Sequence, residues 1–254
     1  MLTVESLSKS YSGIPAVQGV SFEIRRGEIL GYLGPNGSGK STTVKILTGL
    51  IEPTSGRVLL DGKNVRQDLN TYKRVLGYVP EEPFLYTHLS GREYLQLIGR
   101  LRQLPSQVLN KRIDAILEIF DLTASRHMAM ASYSKGMRQK VLLSAALLHN
   151  PEILILDEPF SGLDVTAAQI LKGLLKALAA EGKMIFYSSH VLEVVERVCD
   201  RVLILHQSRV VAHDSVARLR ELMTLPDLEQ IFSQLVKQED TDQRAHDLLR
   251  AIQQ

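Results

Sequence analysis

The nine residues that decide the fold are Gly34-Pro35-Asn36-Gly37-Ser38-Gly39-Lys40-Ser41-Thr42. They follow an apolar run, residues 29–33, that is typical of a short buried strand. Residues 43–47 come next, with apolar side chains at helical spacing. A strand, a glycine-rich loop and a helix in this order form the context that a phosphate-binding loop requires, and the spacing of the glycines, the lysine and the serine matches that loop at each position.

The residue types in this loop have a chemical reason to surround phosphate. Glycines let consecutive backbone N–H groups turn inward around an anion, and the positive end of the following helix points to the same place. Lys40 is expected to reach the β- and γ-phosphates and to assist catalysis, and the Ser41 hydroxyl is expected to bind Mg²⁺. The alternative, a glycine-rich turn with a surface lysine, is disfavoured by the flanking strand and helix. The predicted nucleotide-binding residues of this stretch are Gly34, Asn36, Gly37, Ser38, Gly39, Lys40, Ser41 and Thr42.

The bulk composition is that of an ordinary globular protein. The 254 residues are 44% hydrophobic and 23% charged with a formal net charge of +2, so we predict neither a basic surface for nucleic acid nor an acidic tail. The single cysteine, Cys199, excludes a disulfide within the chain. No apolar run reaches the roughly eighteen residues of a membrane span, and the first residues do not resemble a secretory signal. We expect a soluble, cytoplasmic chain that docks onto a membrane protein.

Strand and helix patterns alternate along most of the chain. Short strands are predicted before the phosphate loop, and the Asp61-Gly62 pair between apolar runs predicts a hairpin. Later strands are predicted at 75–79, 153–156, 184–188 and 202–205, and helices at 165–179 and 191–198. This alternation predicts an α/β fold with a mostly parallel sheet covered by helices. Residues 91–148 show helical patterns alone and are predicted to form an inserted helical unit.

The second half of the predicted phosphate site follows the apolar run 153–156. Asp157 is suited to hold the water shell of Mg²⁺, and Glu158 to orient or polarise an attacking water. An Asp-Glu pair after a strand is commonly just solvated, but the phosphate loop makes the functional interpretation the stronger one. His190 ends another apolar strand and is predicted to sense the γ-phosphate. Asp164 is suited to cap the helix that begins after it.

A second anion-binding helix end is predicted in Tyr133-Ser134-Lys135-Gly136-Met137-Arg138-Gln139. The free backbone N–H groups at the start of this helix, together with Ser134, can hold an anion. An ordinary serine N-cap explains the same spacing, and both interpretations stand at this point. If the site binds phosphate, one chain carries two anion sites far apart in sequence. That arrangement favours a nucleotide shared between two copies about a twofold axis.

Together these motifs resemble the nucleotide-binding subunit of an ATP-binding cassette (ABC) transporter over residues 1–215. The resemblance rests on the phosphate loop, the Asp157-Glu158 strand end, the 133–139 signature, the turn 161–164 and His190. It implies a P-loop NTPase with a RecA-like core, an antiparallel β-subdomain and a helical subdomain inserted at 88–150. A helical extension at 216–254 would follow. The resemblance also implies that Tyr11 stacks on adenine.

The resemblance further implies a mechanism. Two cassettes, expected to be two copies of this chain, would sandwich two ATP molecules between the phosphate loop of one and Ser134–Gly136 of the other, with Asp164 also at the shared site. Closure would move an integral-membrane permease, and hydrolysis with Glu158 as the catalytic carboxylate would reopen the pair. We expect the permease to hold the chain at the inner face of the cell membrane, docking near Glu81–Tyr86. His190 would contact the γ-phosphate.

Three positions depart from the family pattern. Glu81 takes the place of the usual glutamine near the nucleotide; its carboxylate can approach Mg²⁺ through water but donates no hydrogen bond. In the signature, Lys135 replaces a glycine and Met137 a glutamine, while Ser134 and Gly136 remain. These variants, and the segment 225–235, resemble the cassette subunits of ABC-2-type exporters.

Two other functions are weighed against transport. A cassette ATPase of DNA repair or translation is disfavoured by the single cassette, the single cysteine and the absence of heptads. A module that binds ATP without hydrolysing it is disfavoured by the presence of Glu158 and His190. The apolar stripe Leu228, Ile231, Phe232 and Leu235 is predicted to pack on its own domain. For the stripe at 245–252, a partner face and self-packing remain equally open.

Overall fold

The structure is a computed structural model that describes residues 1–82, 84–236 and 250. Its strands are β1 (Leu2–Tyr11), β2 (Ile14–Ile24), β3 (Ile29–Leu33), β4 (Ser55–Leu60), β5 (Lys63–Asn64), β6 (Leu76–Val79), β7 (Ile153–Asp157), β8 (Met184–Ser188), β9 (Arg201–His206) and β10 (Arg209–Ser215). Its helices are α1 (Lys40–Leu47), α2 (Leu69–Val75), α3 (Gly91–Leu101), α4 (Ser106–Ile119), α5 (Lys135–Leu147), α6 (Val165–Ala180), α7 (Leu192–Val198), α8 (Val216–Met223) and α9 (Leu228–Val236). The residues of the predicted stripe near the end of the chain, Ala245, Leu248, Leu249 and Ile252, lie outside the described residues.

A six-stranded sheet forms the centre of the molecule. Its strand order is β10-β9-β3-β8-β7-β6, and every pair is parallel except the edge pair β10–β9. The predicted alternation of strands and helices is therefore confirmed, since parallel neighbours need a crossover between them. Within the described ranges, no helix has the length and apolar character needed to cross a bilayer.

Alternate residues of the central strands pack on opposite faces of this sheet. On β7, Ile153 and Ile155 belong to one buried cluster, whereas Leu154 and Leu156 belong to the other. Strands that are buried on both faces read as continuous apolar runs, and this explains why the runs at 153–156 and 184–188 show no polar alternation.

A second sheet, β2-β1-β4-β5, is antiparallel throughout. Its β4–β5 hairpin turns at Asp61 and Gly62, which both adopt positive φ angles and so give the turn that matches the twist of an antiparallel pair. The predicted hairpin and antiparallel β-unit are confirmed. One face of this sheet and helix α1 enclose the cluster that contains Ile153 and Ile155.

Helices α3, α4 and α5 pack against one another as the predicted helical unit. Ser90 and Glu93 begin α3 with a reciprocal capping box, and Leu95, Ile113 and Val141 are buried in the shared core. The unit is joined to the main sheet by α5, which packs against β6. The subdomain limits of 88–150 and the boundary after residue 215 stay predictions.

One helix, α2, was not predicted from the sequence, whereas the packing of α9 was predicted. Helix α2 was not predicted, because seven residues carry too weak a periodic signal; it is capped by Asp68 and held by a hydrogen bond from the Tyr72 hydroxyl to the Leu47 carbonyl oxygen. The stripe on α9 packs on its own chain as predicted, with Leu228 and Ile231 fully buried against α7, α8 and β9.

Candidate nucleotide-binding site

One cavity at the carboxyl edge of the parallel sheet collects most of the predicted site residues. Its volume is about 550 Å³, within the range of small-molecule sites. It is lined by residues 34–37 and 39–42 of the phosphate loop, by Glu81, by Asp157 and Glu158, and by His190. The loop after β3, the end of β7 and the segment after β8 thus meet at one place, as the edge of a parallel sheet requires.

The phosphate loop depends on glycine at two close approaches. Gly39 has a φ of +107°, and a Cβ there would lie 2.2 Å from the Ala16 carbonyl oxygen. A Cβ at Gly34 would lie 2.8 Å from the Leu205 carbonyl oxygen and 2.4 Å from the Ser38 hydroxyl. The loop therefore packs closely against the backbone at Ala16 and Leu205. This close packing holds the N–H groups of the loop around the cavity.

Ser38 and Lys40 make contacts within the loop that the sequence does not predict, and their roles in nucleotide binding stay predictions. The Ser38 side chain is buried under the loop and does not line the cavity. Lys40 lines the cavity, but its Nζ donates hydrogen bonds to the carbonyl oxygens of Gly34 at 2.6 Å and Pro35 at 3.2 Å. Burial lowers the pKa of Lys40, and the carboxylates of Glu158 and Asp157 oppose this shift. The ammonium group is thus held at the loop until an anion competes for it.

Asp157 is buried, and the carboxyl groups of Glu81 and Glu158 lie near it. The pKa of Asp157 is raised to about 6, chiefly because the group is buried, and the nearby carboxyl groups of Glu81 and Glu158 add to this rise. The surrounding hydrogen bonds and the charge of Lys40 therefore do not offset the cost of ionising this buried carboxyl group. A cation or a further hydrogen-bond donor in the cavity would favour its ionised form.

Glu158 and His190, two of the three predicted catalytic residues, are hydrogen-bonded to each other. The Glu158 carboxylate accepts hydrogen bonds from the His190 backbone N–H at 2.8 Å and from its ring Nδ1 at 2.6 Å. Its other oxygen accepts one from the Ser189 hydroxyl at 3.0 Å. The Glu158 backbone has a positive φ of 49°, which is uncommon for a residue with a side chain. Sequence reasoning assigned each residue a role but did not foresee the contact between them.

Besides Ser38, four predicted nucleotide-binding residues lie outside this cavity. Tyr11 is 49% exposed at the end of β1, and the Lys9 ammonium lies over its ring. Ser134 caps α5 by accepting a hydrogen bond from the Met137 backbone N–H, so the ordinary N-cap interpretation is confirmed, while its anion-binding role stays a prediction. The others are Gly136 and Asp164.

Gly136 and Asp164 both lie where the first turns of α5 meet the segment that follows Glu158. A Cβ at Gly136 would lie 2.4 Å from the Gly162 carbonyl oxygen, so α5 begins against the turn that follows Glu158. Asp164 caps α6 by accepting a hydrogen bond from Ala167 and forms a 2.8 Å ion pair with Lys140 of α5. The capping role predicted for Asp164 is confirmed, and its contact with nucleotide stays a prediction.

Sequence reasoning missed one wall of the cavity. Leu192 of α7 and three residues of α9, Glu229, Phe232 and Ser233, line it beside His190. The apolar stripe of α9 signalled that the helix packs on its own chain, but no sequence signal indicated which surface it covers.

The raised pKa of Asp157 predicts a pH-dependent stability difference. A carboxyl whose pKa rises on folding stabilises the protein below its unfolded pKa of about 3.8, and this contribution is lost as the pH rises through about 6. We expect Asp157→Asn to increase the free energy of unfolding at pH 7.5 by about 1–3 kcal/mol, and by much less at pH 4.5, because the amide needs no ionisation.

Urea unfolding in the presence of a chelator, at both pH values, measures this difference. Glu118→Gln on the exposed face of α4 removes one carboxyl without burial and serves as the matched control. A gain in Asp157→Asn that is the same at both pH values would contradict the assigned cause.

Comparison with known proteins identifies the family of this chain. The model of the ABC transporter family matches residues 17–161, more than half of the chain. An ABC transporter ATP-binding protein of Nostoc sp. strain PCC 7120, all4389, is 40% identical over 208 residues, which span 81% of this chain and 62% of the length of that protein.

Two solved structures extend the comparison to the whole fold. One, described as an ATP-binding subunit of an ABC transporter, has a TM-score of 0.87 and 35% identity, and the match covers 92% of this chain and 99% of the other. The second is the dimeric cassette MJ0796 in a post-hydrolysis state with ADP and Pi; it has a TM-score of 0.78 and 26% identity, covering 85% and 98%. The chain therefore belongs to the ABC transporter family, as an ATP-binding and ATP-hydrolysing subunit.

Proposed function

We propose that this chain works as one of two identical cassettes that drive an ABC-2-type exporter. The observation that carries the proposal is the division of its motifs between two surfaces. The phosphate loop, Asp157 and the Glu158–His190 pair share one cavity, whereas the Ser134–Gly136 helix end lies outside it. A site whose second anion-binding group faces elsewhere is completed by a second copy about a twofold axis.

ATP would bind with its phosphates against the N–H groups of the loop and the start of α1. Lys40 would then exchange its hydrogen bonds to the Gly34 and Pro35 carbonyl oxygens for bonds to the β- and γ-phosphates. The exposed Tyr11 ring would stack on adenine, and Asn36 and Thr42 would complete the phosphate contacts. This exchange offsets part of the binding free energy, because the lysine gives up partners that it already has.

The oxygen groups of the cavity fit Mg²⁺. The Ser41 hydroxyl, Asp157 and Glu81 all line it, and oxygen ligands are those that this ion prefers. Within the described part of the chain, no three His, Cys, Asp or Glu side chains come close enough to cage a metal ion. The ion would therefore keep water and phosphate ligands, as Mg²⁺ commonly does. When bound, it would neutralise charge on the phosphates.

Glu158 would act as the base for the attacking water. As the water oxygen bonds to the γ-phosphorus, Glu158 accepts the proton, and the bond to the bridging oxygen breaks to leave ADP and phosphate. His190 donates hydrogen bonds to Glu158 from both its backbone and its ring. It would hold the carboxylate in place and contact the γ-phosphate.

The membrane subunit is proposed to dock near Glu81–Tyr86 and to hold the chain at the inner face of the membrane. Phe84 is 83% exposed and Tyr86 is also exposed, while Leu85 packs partly against the main core. Glu81 of the same segment lines the nucleotide cavity. A partner seated here would therefore contact the segment that also touches the site.

Replacement of the proposed base separates binding from hydrolysis. We expect Glu158→Gln to lower the ATP turnover number by roughly a hundredfold to a thousandfold and to leave ATP affinity within a few-fold, because the amide keeps the shape but accepts no proton. Phosphate release and equilibrium ATP binding measure the two effects, with Glu118→Gln as the control. Unchanged turnover would remove Glu158 from this role.

A shared site predicts a concentration-dependent enzyme. We expect the specific ATPase activity of the purified chain to rise with protein concentration, and Glu158→Gln to form dimers only when ATP is present. Activity titration and light scattering test this. Flat activity across concentrations, with a monomeric Glu158→Gln variant, would mean that one chain suffices.

The proposed docking site predicts that a substitution there abolishes transport and leaves ATP hydrolysis by the isolated chain intact. We expect Phe84→Asp to abolish transport by the assembled transporter, while the ATPase activity of the isolated chain stays within about twofold, since an exposed side chain contributes little to stability. Ile119→Asp, at an exposed position on α4, is the matched control. Normal transport in Phe84→Asp would place the dock elsewhere.

A further inference from the structure

Helix α9 forms one wall of the nucleotide cavity. Glu229, Phe232 and Ser233 line the cavity beside the phosphate loop and His190. Positions three and four residues apart share one face of a helix, so the wall is a continuous surface of α9. This surface adds a carboxylate and a hydroxyl to the site.

The position of this wall is fixed by packing. Leu228 and Ile231 are fully buried, and the Asp227 carboxylate accepts a hydrogen bond from the Gln230 backbone N–H at 2.8 Å at the start of the helix. α9 packs against α7, which begins just after His190, and against α8 and β9. The side chains on its cavity face therefore have a defined place beside His190.

The charges around the cavity are unbalanced. Among the described residues that line it, Lys40 is the one lysine or arginine, whereas Glu81, Asp157, Glu158 and Glu229 carry carboxyl groups. The Glu158 carboxylate is occupied by three hydrogen bonds. The Glu229 side chain is exposed and forms no ion pair or hydrogen bond with another described residue. Its charge is therefore free to act on a bound anion.

We propose that Glu229 makes the site selective for nucleotide complexed with Mg²⁺ over metal-free nucleotide. The proposal rests on the proposed function, which places the nucleotide in this cavity. Metal-free ATP carries roughly four negative charges and its magnesium complex roughly two, so a fixed carboxylate repels the free form more strongly. Glu229 acts at the mouth of the cavity as an electrostatic selector and takes no part in proton transfer.

Removal of this charge tests the proposal. We expect Glu229→Gln to tighten binding of ATP in a chelator by roughly threefold to tenfold, and binding of ATP with Mg²⁺ by less than about twofold. The gain should shrink as salt is added, because ions screen an exposed charge. Calorimetric titration of the full chain with ATP, with Mg²⁺ or with the chelator, gives both dissociation constants without relying on turnover.

Two further variants make the test specific. Glu221→Gln on α8 removes an exposed carboxylate that does not line the cavity, and it should leave the ratio of the two dissociation constants unchanged. Ser233→Glu adds a negative charge on the same wall. It should raise the ratio of the dissociation constant for metal-free ATP to that for ATP with Mg²⁺ above the wild-type value. Far-ultraviolet circular dichroism would verify that each variant keeps its helices.

The outcomes separate this proposal from the one on which it rests. If Lys40→Ala leaves ATP affinity unchanged, the nucleotide does not occupy this cavity, and the proposed function fails first. If Lys40→Ala weakens binding but Glu229→Gln shifts both dissociation constants equally or neither, selection by Glu229 is wrong. If Glu221→Gln changes the two dissociation constants as much as Glu229→Gln does, the effect comes from the net charge of the protein. That result would also overturn the proposal.

Discussion

Parallel pairing on both sides of β8 is the constraint on which the site depends. Ser188, at the carboxyl end of β8, pairs with Tyr32 of β3 on one side and with Asp157 of β7 on the other. Parallel strands in this register end at the same edge, so the segments that follow them emerge side by side. The phosphate loop, the carboxylates of Asp157 and Glu158, and His190 thus meet although they lie far apart in the chain.

The contact between Glu158 and His190 explains a strained backbone. A positive φ for a residue with a side chain costs roughly 1–3 kcal/mol, and Glu158 has a φ of 49°. Hydrogen bonds from the His190 N–H, its ring and the Ser189 hydroxyl offset this cost. The turn directs the carboxylate across to the end of β8, where a regular strand would have pointed it away. Any substitution at His190 therefore acts on the orientation of Glu158 as well.

The N-terminal end of α5, which Ser134 caps, is joined to the segment that carries Glu158. The Gln139 side chain donates a hydrogen bond to the Pro159 carbonyl oxygen at 3.1 Å, one residue after Glu158. Lys140 pairs with Asp164 at the end of the same turn. The start of α5 is thus attached to the segment that carries Glu158, the proposed base. If the start of α5 binds the partner's nucleotide, these bonds connect the two sites through a short, packed path.

The sequence by itself determined the local elements and the chemistry of each motif. The glycine spacing at 34–39, the apolar runs before Asp157 and His190, and the Asp61-Gly62 turn each act over a few residues, so periodicity and turn chemistry were enough to predict them. Tertiary structure decided the rest: the hydrogen bonds that Lys40 makes to its own loop, the pairing of Glu158 with His190, and the placement of α9 on the cavity. These features depend on contacts between segments distant in the chain. An apolar stripe such as Leu228 and Ile231 predicts that one face of a helix is buried, but it does not predict which surface covers that face.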